Sequence, residues 1–305
     1  MREIRILAIV VIIIGIIYWG VEPLAHSVMH PAVAPADFKF KDLKTVDITK
    51  ADIEKGKELT QSNCASCHGI ESEKIPAPMD AASAASSFGV VPPDLSHAGG
   101  VFDQNYLYHF IADPVEATRL SHKFKLSCEG LDKVKAKECE ANNEGKADYP
   151  MNAFKGILSD KEIADIVAYL KSITPAKLSN KEVFAQACER CHSVKYDKVE
   201  ALTPENDLVK YLGAKAPDLS MIIRAKSEKY LHTFINDPQK ELAGTPMPRV
   251  GMTQASQEQV VKYLESIGDS KKSQRDSLGI KIIIFFVVMS ILAYLWKRSI
   301  WKDLH

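Results

Sequence analysis

Cys64-Ala65-Ser66-Cys67-His68 has a partner far down the chain: Cys188-Glu189-Arg190-Cys191-His192 repeats its pattern 124 residues later. The same interval returns elsewhere. Pro93-Asp94-Leu95-Ser96 recurs as Pro217-Asp218-Leu219-Ser220, Tyr106-Leu107 as Tyr230-Leu231, Phe110-Ile111 as Phe234-Ile235, and Asp113-Pro114 as Asp237-Pro238. One constant interval across separate matches means a single module, duplicated, without net insertion over this stretch. After Asp113-Pro114 the interval shortens: Asp165-Ile166-Val167-Ala168-Tyr169-Leu170 matches Gln259-Val260-Val261-Lys262-Tyr263-Leu264, 94 residues on. The first copy therefore carries about 30 extra residues, between Val115 and Pro150. In both copies the late match lies in a stretch with apolar residues at three- and four-residue steps, which predicts an amphipathic closing helix.

The Cys-x-x-Cys-His spacing is the attachment pattern of c-type haem. Two thiols three positions apart on a helical turn can add across the two vinyl groups of one porphyrin, and the adjacent imidazole then supplies an axial nitrogen to the iron. Two other chemistries use Cys-x-x-Cys, a redox dithiol and half of a zinc site. A dithiol has no use for the following His, and a zinc site built from both pairs leaves both histidines unexplained. The expected cofactors are thus two covalently bound haems c, on Cys64, Cys67 and His68 and on Cys188, Cys191 and His192. A thioether is a soft ligand suited to haem iron, and a Met opposite the His raises its potential. Counting back from the closing helices makes Met151 and Met247 the equivalent methionines and the expected sixth ligands, with Met79 and Met252 as fallbacks. The seven other histidines, at 26, 30, 97, 109, 122, 232 and 305, are rival ligands, but none recurs in register. Pro93 and Pro217 each follow their His by 25 residues. Each offers a carbonyl that could fix the imidazole through its other ring nitrogen, or simply makes a turn.

The 305 residues suffice for two domains, and 39 basic against 39 acidic side chains give no field that would argue for a nucleic-acid partner. The ends differ from the middle. Ile6 to Val21 carries no charge, behind Arg2 and Arg5, and is expected to span a membrane as an N-terminal anchor over residues 1–22. A cleaved signal peptide is the alternative; the nearest small-residue cleavage patterns, Ala32-Val33-Ala34 and Ala34-Pro35-Ala36, lie far beyond the apolar run. Residues 277–296 form a second apolar run, followed by Lys297, Arg298 and Lys302 in a tail over 297–305. Basic residues gather on the cytoplasmic side of a span, so both termini are expected in the cytoplasm and the modules in the periplasm of a bacterium. Between the spans the reading is a linker over 23–49, a first module over 50–174 with its insert at 115–150, and a second module over 175–270. Cys128 and Cys139 both fall in the insert. A disulfide is expected of them in an oxidising compartment, with a metal site or two free thiols as alternatives. The insert's mixed charges suggest a solvated face.

Each module resembles a class I cytochrome c: Cys-x-x-Cys-His near the start, a Pro-Asp-Leu segment, a Met, then a closing helix with Tyr-Leu. The resemblance covers about residues 50–270. It implies an all-α fold of two tandem class I cytochrome c domains flanked by transmembrane helices. The tail anchor, ending Trp296-Lys297-Arg298-Ser299-Ile300-Trp301-Lys302, is similar to that of cytochrome c1. The whole chain resembles the di-haem cytochrome c1-type subunit of some bacterial quinol–cytochrome c reductases (bc1 complexes). It departs from mono-haem c1 in its second module and its N-terminal span. That family implies partners: cytochrome b, a Rieske iron–sulfur subunit as electron donor, and a soluble cytochrome c or a terminal oxidase as acceptor. It also implies an electron-transfer subunit, not catalytic alone. The nearest rival is the di-haem subunit of a cbb3-type oxidase, where a tail anchor is not expected. A haem enzyme of the peroxidase or sulfur-oxidising kind would need an open sixth position.

Overall fold

The computed structural model describes residues 2–29 and 35–302. The candidate cleavage site Ala32-Val33-Ala34, together with His30 and His305, lies outside the described residues. The chain divides into an N-terminal unit, up to Asp37, and everything from Phe38 onward. Described by itself, the first unit is a helix: α1 (Arg2–Ile16) runs through a π-helical turn (Ile17–Val21) into α2 (Glu22–Met29), and none of these residues is buried. Its 28 residues are long and apolar enough to cross a bilayer.

In the second unit, the first copy holds α3 (Ile53–Asn63), α4 (Ala81–Phe88), α5 (Ala98–Val101), α6 (Gln104–Ala112), α7 (Pro114–Thr118), α8 (Lys133–Asn143) and α9 (Asp160–Ile173). The second copy holds α10 (Asn180–Ala187), α11 (Glu205–Leu212), α12 (Ile222–Ala225), α13 (Glu228–Asn236), α14 (Pro238–Glu241) and α15 (Gln254–Gly268). α16 (Lys272–Lys302) follows, 31 residues without one buried side chain. At 1.5 Å per residue it is about 46 Å long, more than a hydrocarbon core of roughly 30 Å requires. The expected all-α architecture is what the structure has: two tandem helical modules, apolar helices at both ends, and only isolated β-bridges among the described residues.

Each module is built on the crossing of its first and last helices. The starts are fixed by side chains that satisfy otherwise unpaired N–H groups. Asp52 caps α3, Thr253 caps α15, and Ser159-x-x-Glu162 and Ser179-x-x-Glu182 form capping boxes on α9 and α10. In the first copy the crossing is backbone-close. A Cβ on Gly56 would lie 2.0 Å from the Asp165 carbonyl oxygen. Buried Asp165 ties the same corner by accepting from the Asp52 N–H at 2.7 Å and from Lys161 at 2.9 Å. In the second copy the corresponding helices meet through an aromatic pair, Phe184 on Tyr263, with centroids 4.9 Å apart.

The two cores meet. Val101, from the first copy, is fully buried in the core of the second, beside Val183, Phe184 and Met252. The insert divides into two parts. Val115, Leu120 and Phe124 are buried, and Phe124 packs on Tyr149 at 5.2 Å and on Tyr211 of the second copy at 5.3 Å. The solvated face expected of the insert is found in α8, which buries nothing and is joined through Cys139 to Cys128 by a disulfide. The span read as a linker is partly built into the fold: Phe40 is 1 % exposed, packed on Tyr106, and Val46 and Ile48 lie against the first core.

Gly56→Ala should destabilise the first module by about 1–3 kcal/mol, because a methyl group must displace backbone at a close crossing. Urea unfolding of the full chain reads this as a lowered midpoint; an unchanged midpoint would show that the crossing has slack.

Candidate functional site

The chemistry-bearing residues sit where α3 and α10 end. Cys64 and Cys188 are the C-cap residues, and the chain continues as one more turn. The His68 N–H donates to the Cys64 carbonyl at 2.9 Å, and the His192 N–H donates to the Cys188 carbonyl at 2.9 Å. That turn puts both thiols and the imidazole of each motif within one helical repeat.

The segment 25 residues later closes over each turn, in the same way in both copies. His68 Nδ1 lies 2.8 Å from the Pro93 carbonyl oxygen, and His192 Nδ1 lies 2.9 Å from that of Pro217. With the proton on Nδ1, the ring is fixed and Nε2 is left as a bare lone pair. The following Asp and Ser hold the loop. Asp94 accepts from the N–H groups of Glu71 and Ser96 at 3.0 and 2.8 Å, and Asp218 from those of Lys195 and Ser220 at 3.0 and 2.9 Å. Ser96 and Ser220 accept from the N–H groups of Ser72 and Tyr196. Pro-Asp-Leu-Ser is thus a carbonyl that meets the imidazole, followed by two caps that keep it there.

Electrostatics separate the competing chemistries. Burial pushes the Cys64 thiol up to about 11 and the Cys188 thiol up to about 12, and raises Cys191. A redox dithiol needs a thiol whose pKa is lowered; these are raised. Burial also lowers the pKa of His68 and His192, outweighing the Pro93 and Pro217 carbonyls, so both rings are neutral at pH 7 and able to act as ligands. Among the described residues no group of three or more His, Cys, Asp or Glu side chains comes together to hold a metal ion.

Met151 is half-buried against the apolar wall of the first copy, formed by Leu59, Leu107 and Ile163 with Leu95. Met247 is half-buried on the loop between α14 and α15. Of the fallbacks, Met252 is 2 % exposed and packed in the second core, and half-buried Met79 precedes α4. His109 and His232 are engaged elsewhere, with the Lys44 carbonyl and with Gln257.

Several residues of the site carry no signature in the sequence. Arg190, inside the second motif where the first has Ser66, acts electrostatically on His68 as well as on Cys188 and Cys191. Gln186, just before that motif, donates to the Asp94 carbonyl at 2.9 Å and so joins the second motif's helix to the first copy's proline loop. Tyr149 and Tyr211 both pack on Phe124 at the same seam. The Nε of Arg190 is buried without a partner. Buried guanidinium donors need acceptors, and a haem brings two carboxylates. Donor, thiols and imidazoles together fit that group.

The family model for cytochrome c matches residues 53–174 and, a second time, residues 180–268. No curated protein matches the chain. Among solved structures, one titled "Hyperthermophilic respiratory Complex III" pairs with it at 17% identity and a TM-score of 0.30, covering 96% of this chain and 99% of that one.

Asp94→Ala and Asp218→Ala should each cost about 0.5–1.5 kcal/mol, since neither carboxyl is buried and water screens its bonds. Burial works against ionisation of Asp218, but bonds from Ser220, Lys195 and Ser193 outweigh it and hold the carboxyl below the ordinary range. Its contribution is therefore complete above the unfolded value of about 3.9 and is lost as pH falls through the lower folded value. Unfolding of wild type and Asp218→Ala, compared at pH 7 and near pH 3, should show the gap closing; a gap independent of pH would contradict this assignment.

Proposed function

The chain belongs to the cytochrome c family, and on that footing we propose that it is the membrane-anchored, di-haem, cytochrome c1-type subunit of a bacterial quinol–cytochrome c reductase. It carries electrons from a Rieske iron–sulfur centre to a soluble cytochrome c or a terminal oxidase. The observation that carries this reading is the doubled turn, Cys-x-x-Cys-His closed by a proline carbonyl, in a chain that ends in a bilayer-length helix. Haem, bound at each turn, supplies a one-electron couple.

The chain's own residues do the positioning. Cys64 and Cys67, and Cys188 and Cys191, attach the groups. His68 and His192 present Nε2, and Pro93 and Pro217 fix the rings. Met151 and Met247 would supply the sixth ligands, and a thioether ligand would raise the potential. Haem held by these side chains would be closed to a small substrate, which suits a carrier within a larger enzyme. The disulfide on the insert suits an oxidising compartment. Together with the basic residues flanking the apolar helices, it supports modules in the periplasm and both termini in the cytoplasm.

Purification in mild detergent with a tag on the C-terminus tests the assignment. The expected result is co-purification of a b-type cytochrome and a Rieske iron–sulfur protein, with quinol-dependent reduction of both haems. Recovery of a copper–haem oxidase instead would place the chain in a cbb3-type complex and overturn the reading.

A further inference from the structure

The loop that carries Met247 is held in place by the other module. From Arg249 onward its bonds run to the first copy. The Arg249 N–H donates to the Thr118 carbonyl at 3.1 Å, and the Thr253 N–H to that of Val101 at 3.1 Å. The loop's own carbonyls accept in return: Tyr106 Oη donates to Arg249 at 2.5 Å and the Asp103 N–H to Gly251 at 2.9 Å. Arg249, 2 % exposed, donates from Nε to the Ala117 carbonyl at 2.9 Å and from Nη1 to Asp42 at 2.7 Å. Its guanidinium lies 5.6 Å from the ring centroids of Phe40 and Tyr106, within cation–π reach. Gly251 has φ +73°, and a Cβ there would fall 1.8 Å from the Tyr106 ring. The loop thus lies directly on that ring.

The first copy is built otherwise. Its Met151 loop is tied within its own module, the Phe154 and Lys155 N–H groups donating to the Ile111 and Ala112 carbonyls at 3.1 and 3.0 Å. The position two residues after its Met is Ala153, which cannot make the contacts of Arg249. The two modules are equivalent in the half that attaches haem and different in the half that presents the sixth ligand.

We propose that the first module is a working part of the second haem centre: Arg249 and Tyr106 are positioning residues that hold the Met247 loop so that its sulfur stays on the iron. This rests on the reading of Met247 as that ligand. A site whose ligand sits on a loop is only as precise as the groups that support the loop, and removal of such supporting groups typically weakens a metal site 10–100-fold. Loosening the clamp therefore detaches the thioether from the second centre, lowers that centre's potential, and leaves the first centre as it was.

The test uses the full-length holoprotein with both haems attached. Arg249→Gln removes the clamp, and Tyr106→Phe removes one hydroxyl while keeping the ring. Met247→Ala is the reference, and the double variant Arg249→Gln/Met247→Ala tests whether the two act on one bond. The readouts are carbon monoxide binding to the ferrous form and the two midpoint potentials. Arg249→Gln is expected to make one haem in two reactive to carbon monoxide, at the potential seen in Met247→Ala, with the other potential unchanged and nothing added in the double variant. Tyr106→Phe is expected to move the same centre by less, and it decides the matter should Arg249→Gln not accumulate. If Met247→Ala opens no centre, the ligand assignment itself is wrong. If Met247→Ala opens one while Arg249→Gln and Tyr106→Phe leave both closed, the ligand assignment stands and the inter-module clamp is refuted.

Discussion

An imidazole held by a backbone carbonyl is the constraint on which the rest of this molecule is arranged. His68 and His192 each stand at the end of a helical turn that also carries two thiols, and each has Nδ1 within hydrogen-bond distance of a proline carbonyl. The carbonyl fixes the ring, and the Asp and Ser that follow the proline fix the carbonyl. The helix crossings behind these turns set where each turn points. One copy does this with a glycine contact and the other with an aromatic pair. Different packing solutions thus serve the same placement.

The modules are joined more intimately than a tandem repeat requires. The second core takes in Val101 of the first. Gln186, at the threshold of the second motif, bonds the proline loop of the first. Arg119 links Asp42 to Asp237, and Arg249 links Asp42 to the Ala117 carbonyl. The inserted residues of the first copy add Phe124 and Tyr149 to this seam, where they meet Tyr211. Contacts of this kind tie the turn of one copy to the turn of the other.

What was legible in the sequence is what is local or periodic. The Cys-x-x-Cys-His turn and the Pro-Asp-Leu-Ser segment recur at one constant spacing, so a fixed interval exposes them. The closing helices show in their apolar period. The seam is different. Arg249 and Asp42 are 207 residues apart, and Gln186 and Asp94 are 92 apart, with no counterpart in the other copy to reveal them. Phe40 sits in a stretch whose composition reads as a linker, and only its contact with Tyr106 shows it to be core. The insert misleads in the same way: its charges, five of them on α8, describe the exposed half and hide Val115, Leu120 and Phe124, which are buried.

The central claim is that each of the two turns carries its own porphyrin, joined through both of its thiols. Peptide mass spectrometry of the mature protein examines that directly. The account requires one haem on the peptide containing Cys64 and Cys67 and one on the peptide containing Cys188 and Cys191. An intact mass with fewer than two haems, or either peptide recovered with its thiols free, would contradict it.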